Sequence, residues 1–310
     1  MFFLIKTVIA TLFQVMIPLM IPVSAGAILG RWARLDTKPL LTLTLYYLSP
    51  AMILDTLMNA HVSHSDIFHT LVFSLLNLVM LWAIATSLSK PLHIPANEKA
   101  ALVLVSSFTN SVNYGLPLVL LAFGKLGLEK ASVYVVIQMV IVNTIGVYFA
   151  ARSQFSIKNA VRSVFSLPAI YAAMLALVLR GFHLSLPSGV AKGVSMVADA
   201  YSPVVMAILG AQIVSVKTTK FEWKSQRVFW TGMAVRLLVS PAVALVCLSI
   251  LHIKGILQSV LFVLACMPVA VNAGILAEKF NASPSIVSKC ILWTTLVSFI
   301  ILPFLIVVIK

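Results

Sequence analysis

Ten apolar stretches, each about as long as a membrane-spanning helix, restrict the fold of this chain more than any other feature. A helix of about 20 apolar residues crosses the hydrocarbon core of a bilayer. Backbone polar groups inside lipid must be paired within the protein, so such stretches form helices. The sequence therefore predicts an all-α membrane protein with ten transmembrane helices. The predicted spans are residues 4–29, 38–58, 67–88, 100–123, 131–150, 165–182, 190–214, 228–251, 256–277 and 284–309.

The composition leaves almost no chain for a soluble domain. Of the 310 residues, 61% are hydrophobic and 10% are charged, whereas soluble proteins are about half apolar and a quarter charged. The formal net charge of +14 would suggest nucleic acid in a soluble protein. Here the basic residues lie in short loops, and the sequence has no basic groove with interleaved aromatic residues. We therefore expect the lipid bilayer, and not nucleic acid, as the partner.

The basic residues also predict the orientation. If the N-terminus lies outside, 14 of the 22 Lys and Arg residues fall in loops on the inner side. Cytoplasmic loops carry such an excess, so we expect a protein of the cell membrane with both termini outside. Arg236 lies within a span. We expect its guanidinium to extend to water near the cytoplasmic end; the alternatives are neutralisation of an anionic substrate or pairing with Asp55.

The two halves of the chain repeat the same features in the same order. Five predicted spans precede the basic loop at 152–162 and five follow it. Because each half has an odd number of spans, the second half has the opposite orientation in the membrane. Ser-Pro occurs in the second and seventh spans, and Asn-x-Gly occurs in the fourth and ninth. We therefore predict two inverted five-helix repeats, residues 1–151 and 152–310.

The fourth and ninth spans contain residues that interrupt helices, in "TNSVNYGLP" and "CMPVAVNAG". Proline lacks an N–H group, so it frees a carbonyl in the preceding turn, and such a break must be buried or line a cavity. Paired breaks in inverted repeats are typical of the binding site of a secondary transporter. A simple kink at Pro117 is the alternative. The predicted substrate-binding residues are Asn110, Asn113, Tyr114, Gly115, Pro117, Asn272 and Gly274.

Helix N-termini carry partial positive charge and favour carboxylates. The asparagine side chains add neutral donors and acceptors. Whether Asn110 or Asn113 faces the cavity is open, because residues three apart on a broken helix point either way. We expect Gln138 and Asn143 to hydrogen-bond to neighbouring helices, although residues in that span also have access to the cavity.

The segments "NSVNYGLPLVLLAFG", "MPVAVNAGILAEKFN" and "YYLSPAMILDTL" resemble the auxin efflux carrier family, and in particular its bacterial malate or malonate permease-like members. The resemblance implies the inverted five-plus-five fold of bile-acid and sodium/proton carriers. It also implies a transport domain of spans 3–5 and 8–10, a scaffold of spans 1, 2, 6 and 7, and a homodimer formed through the scaffold. Where plant members have a second proline, this chain reads "VNAG", so auxin is not the expected substrate.

These features predict a secondary active or potential-driven transporter of small organic anions, such as malate or malonate, that works by alternating access. One rival is a sodium- or proton-coupled carrier of another substrate on the same fold; the other is a membrane sensor that does not transport. The coupling ion, H⁺ or Na⁺, is open. Asp55 in the second span is a possible proton site, because a carboxylate in a span is costly, or it lies at the water interface.

No enzyme motif such as HExxH, GxSxG or a P-loop occurs in the sequence, so we expect neither catalysis nor a cofactor. The run "HVSHSDIFH" has metal-ligating residue types in His61, His64, Asp66 and His69. A short run in a loop beside a span is more typical of a solvated edge than of a metal site.

Overall fold

The computed structural model describes residues 6, 10–60, 63–151, 157–215 and 223–309. Within these ranges all regular secondary-structure elements are helices. The one β-bridge in the described residues is antiparallel and joins Thr109 to Val269. Seven helical stretches are long and apolar enough to cross a membrane. The prediction of an all-α, multi-pass membrane protein is therefore confirmed.

Most long helices are assembled from shorter segments that meet at five-residue π-helical turns. The first 151 residues contain Leu12–Met16, Ile17–Trp32, Thr37–Leu43, Thr44–Leu48, Ser49–Met58, His64–Ser89, Ala96–Ser107, Ser111–Gly115, Leu116–Ile141, Val142–Gly146 and Val147–Ala151. The remaining described chain contains Ile157–Phe165, Pro168–Gly181, Ser188–Asp199, Tyr201–Ser215, Trp223–Ala234, Val235–Val239, Ser240–Ile250, Gly255–Ala265, Val271–Lys279 and Pro284–Ile309.

Seven long stretches differ from ten predicted spans because three predicted spans are broken or short. Ser111–Ala151 counts as one stretch, but Gly124 within it has φ 67° and ψ −163°, so two helices meet there at a kink. Pro168–Gly181 has 14 residues and Gly255–Ala265 has 11. The predicted spans at 100–123, 165–182 and 256–277 thus appear as shorter helices or helix halves.

Ile17–Trp32 and Tyr201–Ser215 pack with their backbones almost in contact, because glycines lie at the crossing. A Cβ atom on Gly26 would come within 1.8 Å of the Ala207 carbonyl oxygen, and one on Gly210 within 1.9 Å of the Val23 carbonyl oxygen. Small residues are what allow helices to approach this closely in membranes.

The other helices form two sets of neighbours. Ser49–Met58 packs against Pro168–Gly181 and Ser188–Asp199. Separately, His64–Ser89 packs against Ala96–Ser107 and Ser240–Ile250. Pro284–Ile309 belongs to this second set, because it packs against Ala96–Ser107 as well as Trp223–Ala234 and Val271–Lys279. Many large apolar side chains remain exposed on the outer surface, as expected for a protein whose solvent is lipid.

The predicted histidine-rich edge is organised by Asp66. Its carboxylate accepts hydrogen bonds from the Ser63 backbone N–H and hydroxyl, closing a capping box at the start of His64–Ser89. Lys130 Nζ lies 2.9 Å from the same carboxylate, so the aspartate is fully engaged in capping and ion pairing. His69 Nδ1 lies 3.0 Å from the Ser65 hydroxyl, and His61 lies outside the described residues.

We predict that Gly26→Ala lowers the stability of the folded protein. The new methyl group would overlap the backbone of Tyr201–Ser215, and overpacking of this kind costs about 1–3 kcal/mol. The thermal midpoint of the purified protein in detergent should fall by several degrees. Gly193→Ala is the matched control, since no heavy atom lies within 4 Å of its new Cβ. Equal midpoints for the two variants would contradict the close packing.

Candidate substrate-binding site

Two helix breaks meet at the centre of the molecule. The first break, residues 108–110, separates Ala96–Ser107 from Ser111–Gly115, and the second, residues 266–270, separates Gly255–Ala265 from Val271–Lys279. The Asn110 N–H donates to the Pro268 carbonyl at 2.8 Å, and the Ala270 N–H donates to the Phe108 carbonyl at 3.0 Å. The two breaks therefore cross as an antiparallel pair joined by two backbone hydrogen bonds. The Val269 N–H in the second break donates to the Thr294 hydroxyl of Pro284–Ile309 at 3.1 Å.

Local sequence explains why the helices stop and restart here. Phe108 has an extended backbone, with φ −108° and ψ 125°. The Asn110 carbonyl then accepts from the N–H groups of Tyr114 and Gly115 and starts the next helix. A Cβ atom on Gly115 would lie 2.6 Å from Leu264 Cδ2, so a side chain at this position would require the Leu264 side chain to move. Pro117 lies inside the continuous helical stretch Ser111–Ala151, so its missing N–H leaves a carbonyl of the preceding turn free. The Val112 carbonyl in that turn accepts a hydrogen bond from the Tyr201 hydroxyl at 3.1 Å.

A cavity of about 160 Å³ adjoins the crossing. Its wall combines both breaks, the first turns of the helices that follow them, and parts of three neighbouring helices. Among the described residues that line it, none is charged. The polar lining residues are Thr44, Ser49, Thr109, Asn110, Asn113, Asn143 and Asn272.

The asparagines of the two breaks are available to a ligand. Asn110 is buried, and its side-chain Nδ2 has no hydrogen-bond partner among the described residues. Asn113 and Asn272 lie in the first turns of the helices after the breaks, and Asn272 is exposed to the cavity side. The sequence left open whether Asn110 or Asn113 faces the cavity, and in the structure both residues line it. Asn143 uses its Nδ2 to donate to the Met139 carbonyl at 2.8 Å.

The remaining predicted site residues lie away from the cavity wall. Tyr114 is fully buried, with its ring 5.5 Å from that of Phe299, and Gly115 and Pro117 are buried beside it. Gly274 lines a neighbouring cavity of about 210 Å³, which shares Val271 and Ile275 with the first cavity. These residues shape the helices that carry the asparagines.

Asp55 lines a different cavity, of about 400 Å³, with Asn59, Arg180 and His183. It is partly exposed and experiences the charges of Asp199 and Lys125. The structure does not bring Asp55 to the crossing.

The expectation that Arg236 extends to water is wrong. Its side chain is 1% exposed, and Nη1 donates to the Ser106 carbonyl at 3.0 Å. Its Nη2 contacts the Ala265 carbonyl and the Ser240 hydroxyl. The helix-end carbonyls freed by the breaks are buried, so they hold the guanidinium inside the protein. An arginine in the middle of a span is itself a sign of a buried, paired charge. The sequence does not reveal its partners, because the Ser106 and Ala265 carbonyls lie 130 and 29 residues away along the chain.

Known proteins match this chain over most of its length. The profile of a family described as membrane transport protein matches residues 8–160 and 150–306. The chain belongs to this family. An uncharacterized transporter of Methanocaldococcus jannaschii is 28% identical over 278 residues, which cover 86% of this chain and 87% of the relative. An uncharacterized transporter of Methanothermobacter thermautotrophicus is 25% identical over 281 residues, covering 89% and 90%.

Plant carriers match a shorter segment. Auxin efflux carrier component 3a of Oryza sativa subsp. japonica is 29% identical over 135 residues, which cover 42% of this chain and 22% of the relative. The resemblance to the auxin efflux carriers is thus confirmed. As a member of the membrane transport protein family, the chain is a membrane transporter rather than a member of an enzyme family.

We predict that Asn272→Cys reacts with a membrane-impermeant thiol reagent, several-fold faster than Ala273→Cys. Asn272 is exposed in the cavity, whereas Ala273 is completely buried, and thiol reactivity requires access. The native Cys247, Cys266 and Cys290 are all buried and give little background. The measurement compares labelling rates in inside-out and right-side-out vesicles.

The helices that line the cavity lead from the crossing to the loops that carry the excess of Lys and Arg. We therefore expect labelling of Asn272→Cys in inside-out vesicles. Equal rates at the two positions would contradict the cavity geometry, and labelling only in right-side-out vesicles would contradict the predicted orientation.

Proposed function

We propose that this chain transports small organic anions, carboxylates such as malate or malonate, by alternating access. The observation that carries the proposal is the convergence of two helix N-termini and three asparagine amides on one uncharged cavity. The helices after the breaks present their first N–H groups, which have no partner inside the helix. Each end carries about half a positive charge, and no carboxylate among the described lining residues opposes an anion.

The size of the cavity supports a small substrate. Pockets for drug-sized ligands are about 300–1,000 Å³, and this cavity is about 160 Å³. A sterol acid, which belongs to the rival carriers on this kind of fold, is therefore disfavoured. Because the cavity is small, we propose a substrate of a few carbon atoms. The amide donors of the asparagines can hydrogen-bond to more than one kind of carboxylate.

We further propose that the helices form ten spans in two inverted repeats, residues 1–151 and 152–310. The crossing of two equivalent breaks supports this arrangement, as does the kink at Gly124 between the proposed fourth and fifth spans. The two segments that match the family profile also meet at residues 150–160.

The packing supports a division into a scaffold and a transport domain. The proposed scaffold spans 1 and 7 are joined by the glycine contact, and spans 2, 6 and 7 pack together. Spans 3, 4 and 8 pack together, as do spans 8, 9 and 10. We propose that the second group carries the crossing across the membrane relative to the scaffold, and that two copies associate through the scaffold.

We propose that the described conformation faces the cytoplasm. The cavity is lined by segments that lead to the loops with the basic excess, and that excess marks the cytoplasmic side. Both termini then lie outside.

We predict that Asn113→Ala and Asn272→Ala each weaken carboxylate binding about tenfold. A hydrogen bond to a charged group contributes about 1.5–3 kcal/mol, and 1.4 kcal/mol corresponds to a factor of ten. The measurement is uptake of labelled malonate and malate into proteoliposomes over a range of concentrations. Asn77→Ala is the matched control, because Asn77 is a buried asparagine in His64–Ser89 that does not line the cavity.

Wild-type affinity and flux in both variants would reject the assigned site while leaving transport intact. No flux of any carboxylate by a folded wild-type protein would reject the transporter. Binding without flux would favour the sensor.

Proton coupling, if present, is proposed to use Asp55. Uptake should then change by up to about tenfold per pH unit of gradient, and Asp55→Asn should make it independent of pH. The measurement is malonate accumulation in proteoliposomes at several pH gradients and fixed membrane potential. Asp36→Asn is the control, since Asp36 only caps Thr37–Leu43 and asparagine caps helices equally well.

An unchanged pH profile in Asp55→Asn would exclude this proton site. A flat profile in the wild type would leave the membrane potential as the driving force, worth about 2.3 kcal/mol per charge per 100 mV.

A further inference from the structure

Arg236 joins the C-terminal ends of the two helices that stop at the crossing. Ser106 lies in the last turn of Ala96–Ser107, and Ala265 is the last residue of Gly255–Ala265. The guanidinium donates to the carbonyls of both, and the Ser240 hydroxyl also donates to the Ala265 carbonyl at 3.2 Å. One buried cation is thus shared between two helix ends that are far apart in sequence.

The charges at these ends balance. Each helix C-terminus carries about half a negative charge on its unpaired carbonyls, so two ends together approach one negative charge. An arginine side chain stays protonated in proteins and brings one positive charge. A buried charge persists only when it is paired and hydrogen-bonded, and the two helix ends provide that pairing.

The other side of the crossing is left without such a balance. The two helix N-termini, at Ser111 and Val271, adjoin the cavity with its asparagines. Without Arg236, the negative C-termini behind the crossing would offset much of the positive potential of these N-termini. With Arg236 in place, the crossing as a whole is positive, and the cavity faces the positive ends.

We propose that Arg236 is the residue that sets the anion selectivity of the transporter, acting through the helix ends and without touching the substrate. This rests on the proposed function, because it assumes that the cavity binds a carboxylate. Arg236 is therefore a positioning residue whose charge, more than its shape, matters. Its removal should weaken the binding of anions much more than the binding of uncharged molecules of the same size.

The test measures discrimination between labelled malonate and its uncharged diamide, malonamide, in proteoliposomes. The readout is the ratio of their half-saturation concentrations, with malonamide followed by competition. In Arg236→Gln, which keeps donors but loses the charge, we expect the preference for malonate to fall about tenfold. Coulomb's law gives an effect of about this size for one charge at a distance of about 10 Å and an effective dielectric constant near 20. Arg236→Lys, which keeps the charge, should retain the wild-type preference within about threefold.

Arg180→Gln is the matched control. Arg180 also donates to a carbonyl near a helix end, that of Leu57 at 3.0 Å, but it lies in the cavity with Asp55 and away from the crossing. Its replacement should leave the malonate preference unchanged. A purely structural role for Arg236 would weaken malonate and malonamide binding alike, so the ratio would not move.

Three results overturn the proposal: an unchanged ratio in Arg236→Gln, an equal loss of preference in the Lys and Gln variants, or the same loss in Arg180→Gln. Should Arg236→Gln fail to fold, Arg236→Lys decides, since a loss of preference with the charge retained contradicts the proposed role. Failure of the proposed function is seen separately, as the absence of carboxylate uptake in the wild type.

Discussion

Backbone groups that leave a helix inside a membrane must find partners, and the centre of this protein is organised by that requirement. Two helices break where they cross, and each break donates one backbone hydrogen bond to the other, from Asn110 to Pro268 and from Ala270 to Phe108. Arg236 donates to the Ser106 and Ala265 carbonyls at the ends of the two helices that stop there. What is left over is a pair of helix N-termini beside a small cavity, and the proposed chemistry of the protein follows from them.

The sequence was sufficient to predict the class of fold, the two breaks and the asparagines around them. Periodic apolar stretches specify spanning helices because lipid permits few alternatives. Prolines and glycines mark interruptions because their backbone restrictions are local. Asn110, Asn113 and Asn272 were predicted as site residues on these grounds, and all three line one cavity.

Contacts between distant segments were harder to predict. Arg236 was expected to extend to water, because the Ser106 and Ala265 carbonyls that hold it become neighbours only when the two breaks cross. Tyr114 and Pro117 belong to the same motif as the asparagines, but both are buried and do not line the cavity. Which neighbours a residue meets depends on the path of the chain through the break, and the motif alone does not specify that path. Seven long stretches in place of ten spans reflect a kink at Gly124 and helices too short to span alone.

The antiparallel pairing of Thr109 with Val269 also has a consequence for dividing the chain into its two halves. Residues of both halves line the cavity, so neither half contains the complete cavity. A fragment ending near residue 151 would leave the backbone groups of its break without partners in the lipid interior. Two separately expressed halves would have to recognise each other at this short backbone pairing, which makes the crossing an assembly point as well as a cavity wall.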